Sequence, residues 1–127
     1  MNAGNILYFL NLIVSFSFRN NQIAPCFAAY FAIVNTFLGI FDRGINGSVL
    51  HIHFSADQIT LKTAVAEPSQ KPIWNATLLF SGVDGESLMK RAIEVTLWDF
   101  CPDGDNVFLG ECSVDLQRAL ENDRAVW

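Results

Sequence analysis

The stretch PIWNATLLFSGVDGESLMKRAIEVTLWDFCPDGDNVFLGE (Pro72–Glu111) decides the fold. Within it Ile93, Val95 and Leu97 alternate with Glu94 and Thr96, and a repeat of two puts one side of an extended segment on a core and the other toward water. Ala92–Phe100 is therefore a strand of an antiparallel sheet. Ala76–Phe80 begins the strand before it, and Phe108–Leu116 forms the strand after it. Asp99, Asp103 and Asp105 fall between the last two, around Pro102 and Gly104, which fold a chain into a tight turn. The carboxylates thus crowd into a loop at the rim of a sheet, an arrangement suited to binding and only weakly to catalysis.

Working outward, Val49–Phe54 alternates Leu50, Ile52 and Phe54 against His51 and His53, and Ile59–Val65 alternates in the same way. The four residues Ser55–Gln58 suit a hairpin turn between them. His51 and His53 share a strand face but lack a third or fourth metal ligand, so they read as exposed strand histidines. Pro68 and Pro72 keep the chain extended. Asp84–Arg91 is expected to form a short helical turn capped by Asp84 or Ser87, and Asp115–Asn122 an amphipathic turn with Leu116 and Leu120 at helical spacing. The expected fold class is all-β, with short helical connections.

The composition breaks near Phe41. Residues 1–41 hold one charged side chain, Arg19, and seven of the eleven Phe; every one of the thirteen Asp and Glu lies at Asp42 or later, against seven Lys and Arg there. An acidic domain without a basic stripe argues against nucleic acid and against purely electrostatic attraction to anionic lipid. Cys26, Cys101 and Cys112 are scattered without a CxxC, which indicates neither a zinc site nor a disulfide framework and makes a reducing compartment the default. In the hydrophobic leader, Met1–Phe41, Ile23–Phe41 offers nineteen residues without a charge, close to the ~20 that cross a bilayer. Pro25, Asn35 and Thr36 dilute that run, and no basic cluster flanks it. Three readings stay open: sequence read across a wrong exon boundary, a membrane-inserting segment, or a buried soluble helix. In each, the leader is expected to lie outside the sandwich, with residues 42–61 as a connecting hairpin region and 62–127 as the folded module.

PIWNATLLF, AIEVTLWDF, FLGECSVDL and the terminal ENDRAVW together resemble the second half of a C2 domain, the eight-stranded antiparallel β-sandwich of membrane-trafficking proteins. Within that family the chain is most similar to the first C2 domain of the presynaptic active-zone scaffolds RIM, Piccolo and Fife. The resemblance implies a partial C2-type sandwich, with Trp74 and Trp98 supplying core area and a Trp opening the last strand, although the alternation leaves the side of Trp98 open, since it follows Glu94 and Thr96. Only Val49–Phe54 stands in for the strands expected ahead of Lys62. It also locates the calcium loop. There the family carries Asp-x-Asp and a further Asp six residues on; this chain has Asp99 at the first place, Cys101 at the second and Val107 at the third. A thiol and an isopropyl group do not replace carboxylates for a hard cation, and Asp103 and Asp105 sit at the wrong offsets. The binding loop is thus Asp99, Cys101, Asp103, Asp105 and Val107, with calcium disfavoured and no other cofactor expected. Lys62 and Lys71 are what remains of the family's basic, phosphoinositide-binding strand.

No enzyme signature accompanies these motifs: both His lie on one strand, no serine has nucleophile-elbow glycines, and no glycine loop carries a phosphate-binding Lys. The expected function is a calcium-independent C2-type binding module of a presynaptic scaffold, regulating synaptic vesicle exocytosis through contacts with other presynaptic proteins. It would sit in the cytoplasm at the active zone, peripheral to a membrane surface. The alternatives are a calcium-dependent phospholipid-binding C2 domain and a membrane-anchored C2 trafficking protein held by Met1–Phe41.

Overall fold

The computed structural model describes residues 12–41, 47–54, 59–68 and 73–126. Among these described residues seven strands and three helices follow one another: β1 (Leu12–Phe18), β2 (Ile23–Cys26), α1 (Ala28–Phe41), β3 (Ser48–Phe54), β4 (Ile59–Lys62), β5 (Ala76–Val83), α2 (Gly85–Leu88), β6 (Ala92–Asp99), β7 (Val107–Asp115) and α3 (Leu116–Val126). They form a four-stranded sheet in the order β4-β3-β6-β7 and a three-stranded sheet in the order β2-β1-β5. All pairings in the first sheet are antiparallel; in the second, β1 pairs antiparallel with β2 and parallel with β5. The strands expected from the alternation of Ile93–Leu97, Leu50–Phe54 and Ile59–Leu61 are present. The hairpin turn expected at Ser55–Gln58 lies outside the described residues.

Alternation decides which side chains meet. Leu50, Ile52 and Phe54 of β3 and Ile93, Val95 and Leu97 of β6 are fully buried on one face, and β1 answers with Leu12, Val14 and Phe16. Phe16 stacks on Phe80 of the neighbouring β5 at 5.7 Å and meets Phe54 of the opposite sheet edge-on at 5.5 Å. Such aromatic pairs contribute about 0.5–1.5 kcal/mol each beyond their area. Trp74 is buried as expected and donates its indole N–H to the Ser48 carbonyl at 3.1 Å.

The leader corrects the sequence reading. Expected outside the sandwich, Leu12–Phe41 instead packs into it as two strands and a helix. The hairpin between β1 and β2 closes through Asn21, whose φ of 68° is a left-handed conformation that Asn tolerates, and Pro25 sits in β2 at the sheet edge, where its missing N–H is harmless. In α1, Ala29, Ile33, Phe37 and Phe41 recur every four residues as one buried stripe. This stripe faces the core side of β7, where Gly110 permits close approach: a Cβ there would lie 3.1 Å from Ile40 Cδ1 and 3.3 Å from Phe37 Cε1. The same apolar residues that make Ile23–Phe41 resemble a membrane span therefore serve a protein core. Among the described residues no helix is long and apolar enough to cross a membrane.

Two smaller expectations are refined. A last strand is expected to open at Trp127, but α3 runs through to Val126; Trp127 lies outside the described residues. Of the two expected caps for α2, Asp84 takes the role, its Oδ1 accepting the Glu86 amide at 3.4 Å.

Candidate functional site

The rim loop Phe100–Asn106 leaves β6 and returns as β7. Its start is tied to β3, because the Phe100 amide donates to the Gly47 carbonyl at 2.9 Å while the Gly47 amide donates back to Asp99 Oδ1 at 3.4 Å. Its neck is closed by the Cys101 amide donating to Asn106 Oδ1 at 3.0 Å. Asp99 is thus half-buried and turned toward the backbone of Gly47, whereas Asp103 and Asp105 are exposed at the tip. Cys101 is half-buried and Val107 is 56% exposed. The structure places the five residues of the expected loop together. Among the described residues, however, no group of three or more His, Cys, Asp or Glu is arranged to hold a metal ion. Lys62 is exposed on β4, three strands away from β7 in the sheet, and Lys71 lies outside the described residues.

Beside the loop, the outer face of the four-stranded sheet carries side chains that the sequence reading did not join into a site. Glu94, Thr96 and Trp98 of β6 point outward, opposite the buried Ile93, Val95 and Leu97. The expectation that Trp98 supplies core area is corrected: it is half-buried on the outer face, because its place in the alternation is that of Glu94 and Thr96. Its indole N–H donates to Thr96 Oγ1 at 2.9 Å, which fixes the ring. His51 of β3 stacks on it at 5.2 Å with an interplanar angle of 29°, and Phe108 of β7 meets it edge-on at 5.4 Å. The row spans three neighbouring strands.

A β-bulge produces the last of these contacts. The register moves from Leu97 opposite Gly110 to Trp98 opposite Phe108, so Leu109 is the extra residue, and the bulge turns Phe108 to the outer face. Without the bulge, alternation from Ser113 and Glu111 would put Leu109 there instead. The one signal in the sequence is Gly110, since an isolated glycine in a strand marks such irregularities.

Electrostatically the face is two-ended. Burial first, and the nearby Lys62 ammonium second, hold the His51 pKa below its ordinary 6.5. At the β7 side, Glu94 and Glu111 with Cys112 and Ser113 line a depression of about 310 Å³. Cys112 itself is directed to the core side, where burial pushes its thiol pKa up against the smaller opposing effect of a hydrogen bond with Thr36, leaving it a poor nucleophile. Cys26, Cys101 and Cys112 form no disulfide with one another.

The profile of the C2 domain family matches residues 46–127, and these include both β3–β4 and the β6–loop–β7 unit. The chain belongs to the C2 domain family. Its C2 portion is 34% identical over 77 residues to Protein piccolo of Rattus norvegicus, which covers 61% of this chain and 2% of that protein. It is 31% identical over 74 residues to Regulating synaptic membrane exocytosis protein 2 of Homo sapiens, covering 57% and 5%. Among solved structures, the C2 domain designated A of RIM from Drosophila superposes with a TM-score of 0.51 at 28% identity, covering 59% of this chain and 62% of that one. The chain therefore spans a few hundredths of the length of these curated relatives. The resemblance to RIM and Piccolo C2 domains read from the four motifs is borne out.

Proposed function

We propose that this chain is a calcium-independent C2 binding module of the presynaptic type, regulating synaptic vesicle exocytosis through protein contacts at the cytoplasmic active zone, peripheral to the membrane. The observation that carries calcium independence is the state of the rim loop. Its one carboxylate at a family ligand position, Asp99, is turned to the Gly47 amide, and the next two positions hold Cys101 and Val107. A hard cation needs several convergent oxygens, whereas Asp103 and Asp105 stand out at the exposed tip of the loop. Likeness to piccolo and to Regulating synaptic membrane exocytosis protein 2 supports the presynaptic setting. A site built of a binding loop and an aromatic sheet face supports a binding role over a catalytic one.

Thermal melts with and without ~10 mM calcium test this reading. The unmodified chain is expected to melt at the same temperature in both. The double variant Cys101→Asp, Val107→Asp adds two carboxylates beside Asp99 and should bind weakly, at ~10⁻⁴–10⁻³ M, which corresponds to about 1–3 kcal/mol of added stability by mass action. An equal calcium-dependent rise in the unmodified chain would refute calcium independence.

A further inference from the structure

We propose that the outer face of β6 and β7 is a docking surface for an extended, Lys- or Arg-bearing segment of a partner protein. This rests on the reading of the chain as a protein-binding C2 module and gives that module its contact surface. Water is a poor neighbour for what this face presents: Phe108 is 50% exposed and continuous with the indole of Trp98 and its stacked His51. Trp98 spends its one donor on Thr96, so what remains for a partner is ring surface. That surface attracts aliphatic stems and, through the ring quadrupole, cations.

Charge complementarity selects the occupant. Glu111 lies opposite Thr96 and Glu94 opposite Ser113, both exposed, so two carboxylates continue the column that Trp98 and Phe108 begin. Asp103 and Asp105 stand at the rim beyond it and Asp115 at its far end. The basic and titratable groups of the face, Lys62, His51 and His53, lie on β4 and β3, on the other side of Trp98 from β7. Outward side chains along a strand recur at about 6.8 Å. An extended peptide alternating cationic and apolar residues matches that spacing, its stems over Trp98 and Phe108 and its charged heads at Glu111 and Glu94. An anionic membrane meets repulsion from the same carboxylates.

The probe is a fluorescein-labelled, amidated octapeptide alternating arginine and leucine, titrated by fluorescence anisotropy at low salt, in chelator and again in millimolar calcium. The unmodified chain is expected to bind it in both. Phe108→Ala and the pair Glu94→Gln, Glu111→Gln should each weaken binding roughly tenfold or more, while Lys62→Gln should leave it unchanged; unaltered thermal melts establish that each variant is folded. Absent binding, or equal binding by all four proteins, overturns the proposal. So does binding of vesicles containing phosphatidylserine that is lost in Phe108→Ala. Peptide binding that needs calcium leaves the surface standing and refutes calcium independence instead.

Discussion

Replacing Phe37 by Ala distinguishes a leader that belongs to the folded module from one that merely accompanies it. Phe37 is 1% exposed on the buried stripe of α1; its ring reaches the backbone of Gly110 on β7 and meets Phe41 edge-on at 6.3 Å. Returning such a side chain to water costs about 1.5–3 kcal/mol, the lost ring pair adds ~0.5–1.5, and the space left between α1 and β7 closes only in part. The expected loss is about 3–5 kcal/mol, roughly a fifth or more of the ~5–15 kcal/mol that ordinary domains possess. Urea denaturation followed by tryptophan fluorescence reads this as a lower midpoint at an unchanged slope. Leu38→Ala, on the exposed side of the same helix at 46%, is the control and should stay within about 0.5 kcal/mol. If Phe37→Ala costs under ~1 kcal/mol and matches Leu38→Ala, the leader is not part of the stable core.

The same interface can be tested from β7. A methyl group at Gly110 would press on the tips of Ile40 and Phe37 at 3.1 and 3.3 Å, which can yield, so Gly110→Ala should cost about 1 kcal/mol, whereas Gly110→Leu must displace the helix and should cost about 3 kcal/mol or more; a urea melt in which Leu is tolerated refutes that packing. A further expectation concerns pH. Because His51 is held below its ordinary 6.5 by burial and Lys62, the unfolded chain takes up its proton first; the stabilisation is complete above about pH 6.5 and is lost as pH falls through the folded value. Urea midpoints measured between about pH 7.5 and pH 5 should fall more steeply for the unmodified chain than for His51→Gln, and parallel profiles would contradict this.

Period-two alternation carried the strands of the larger sheet because each has one wet and one dry face. Leu12–Phe18 carries the same alternation, Val14, Phe16 and Phe18 against Ser15 and Ser17, but only small serines mark its other side; β1 is the middle strand of its sheet, with Ser15 buried as well as Leu12, Val14 and Phe16, and a strand covered in this way shows no charged face to set it apart from an apolar run. The α1 stripe was not legible either, since Phe31 and Leu38 on its outer side are as apolar as Ile33 and Phe37 within, so no polar face marks where the core begins. At the site, the loop residues Asp99–Val107 were legible from turn chemistry, and the outward position of Trp98 was implicit in its parity with Glu94. Phe108 was not legible, because its direction depends on a bulge that only Gly110 hints at.

The parallel pairing of β1 with β5 carries a cost in time. Leu12 meets Ala76, about sixty residues later in the chain, and at ~5–20 residues per second a ribosome takes roughly 3–12 s to cover that distance. For those seconds Leu12, Val14 and Phe16 have been made but their neighbour has not. The hairpin with β2 and the helix after it can form at once, yet their apolar surfaces find full cover only when β3, β5, β6 and β7 have all arrived. A nascent chain of this kind is a natural client for chaperones that shield early hydrophobic segments, and its folding yield should depend on them more than its final stability suggests.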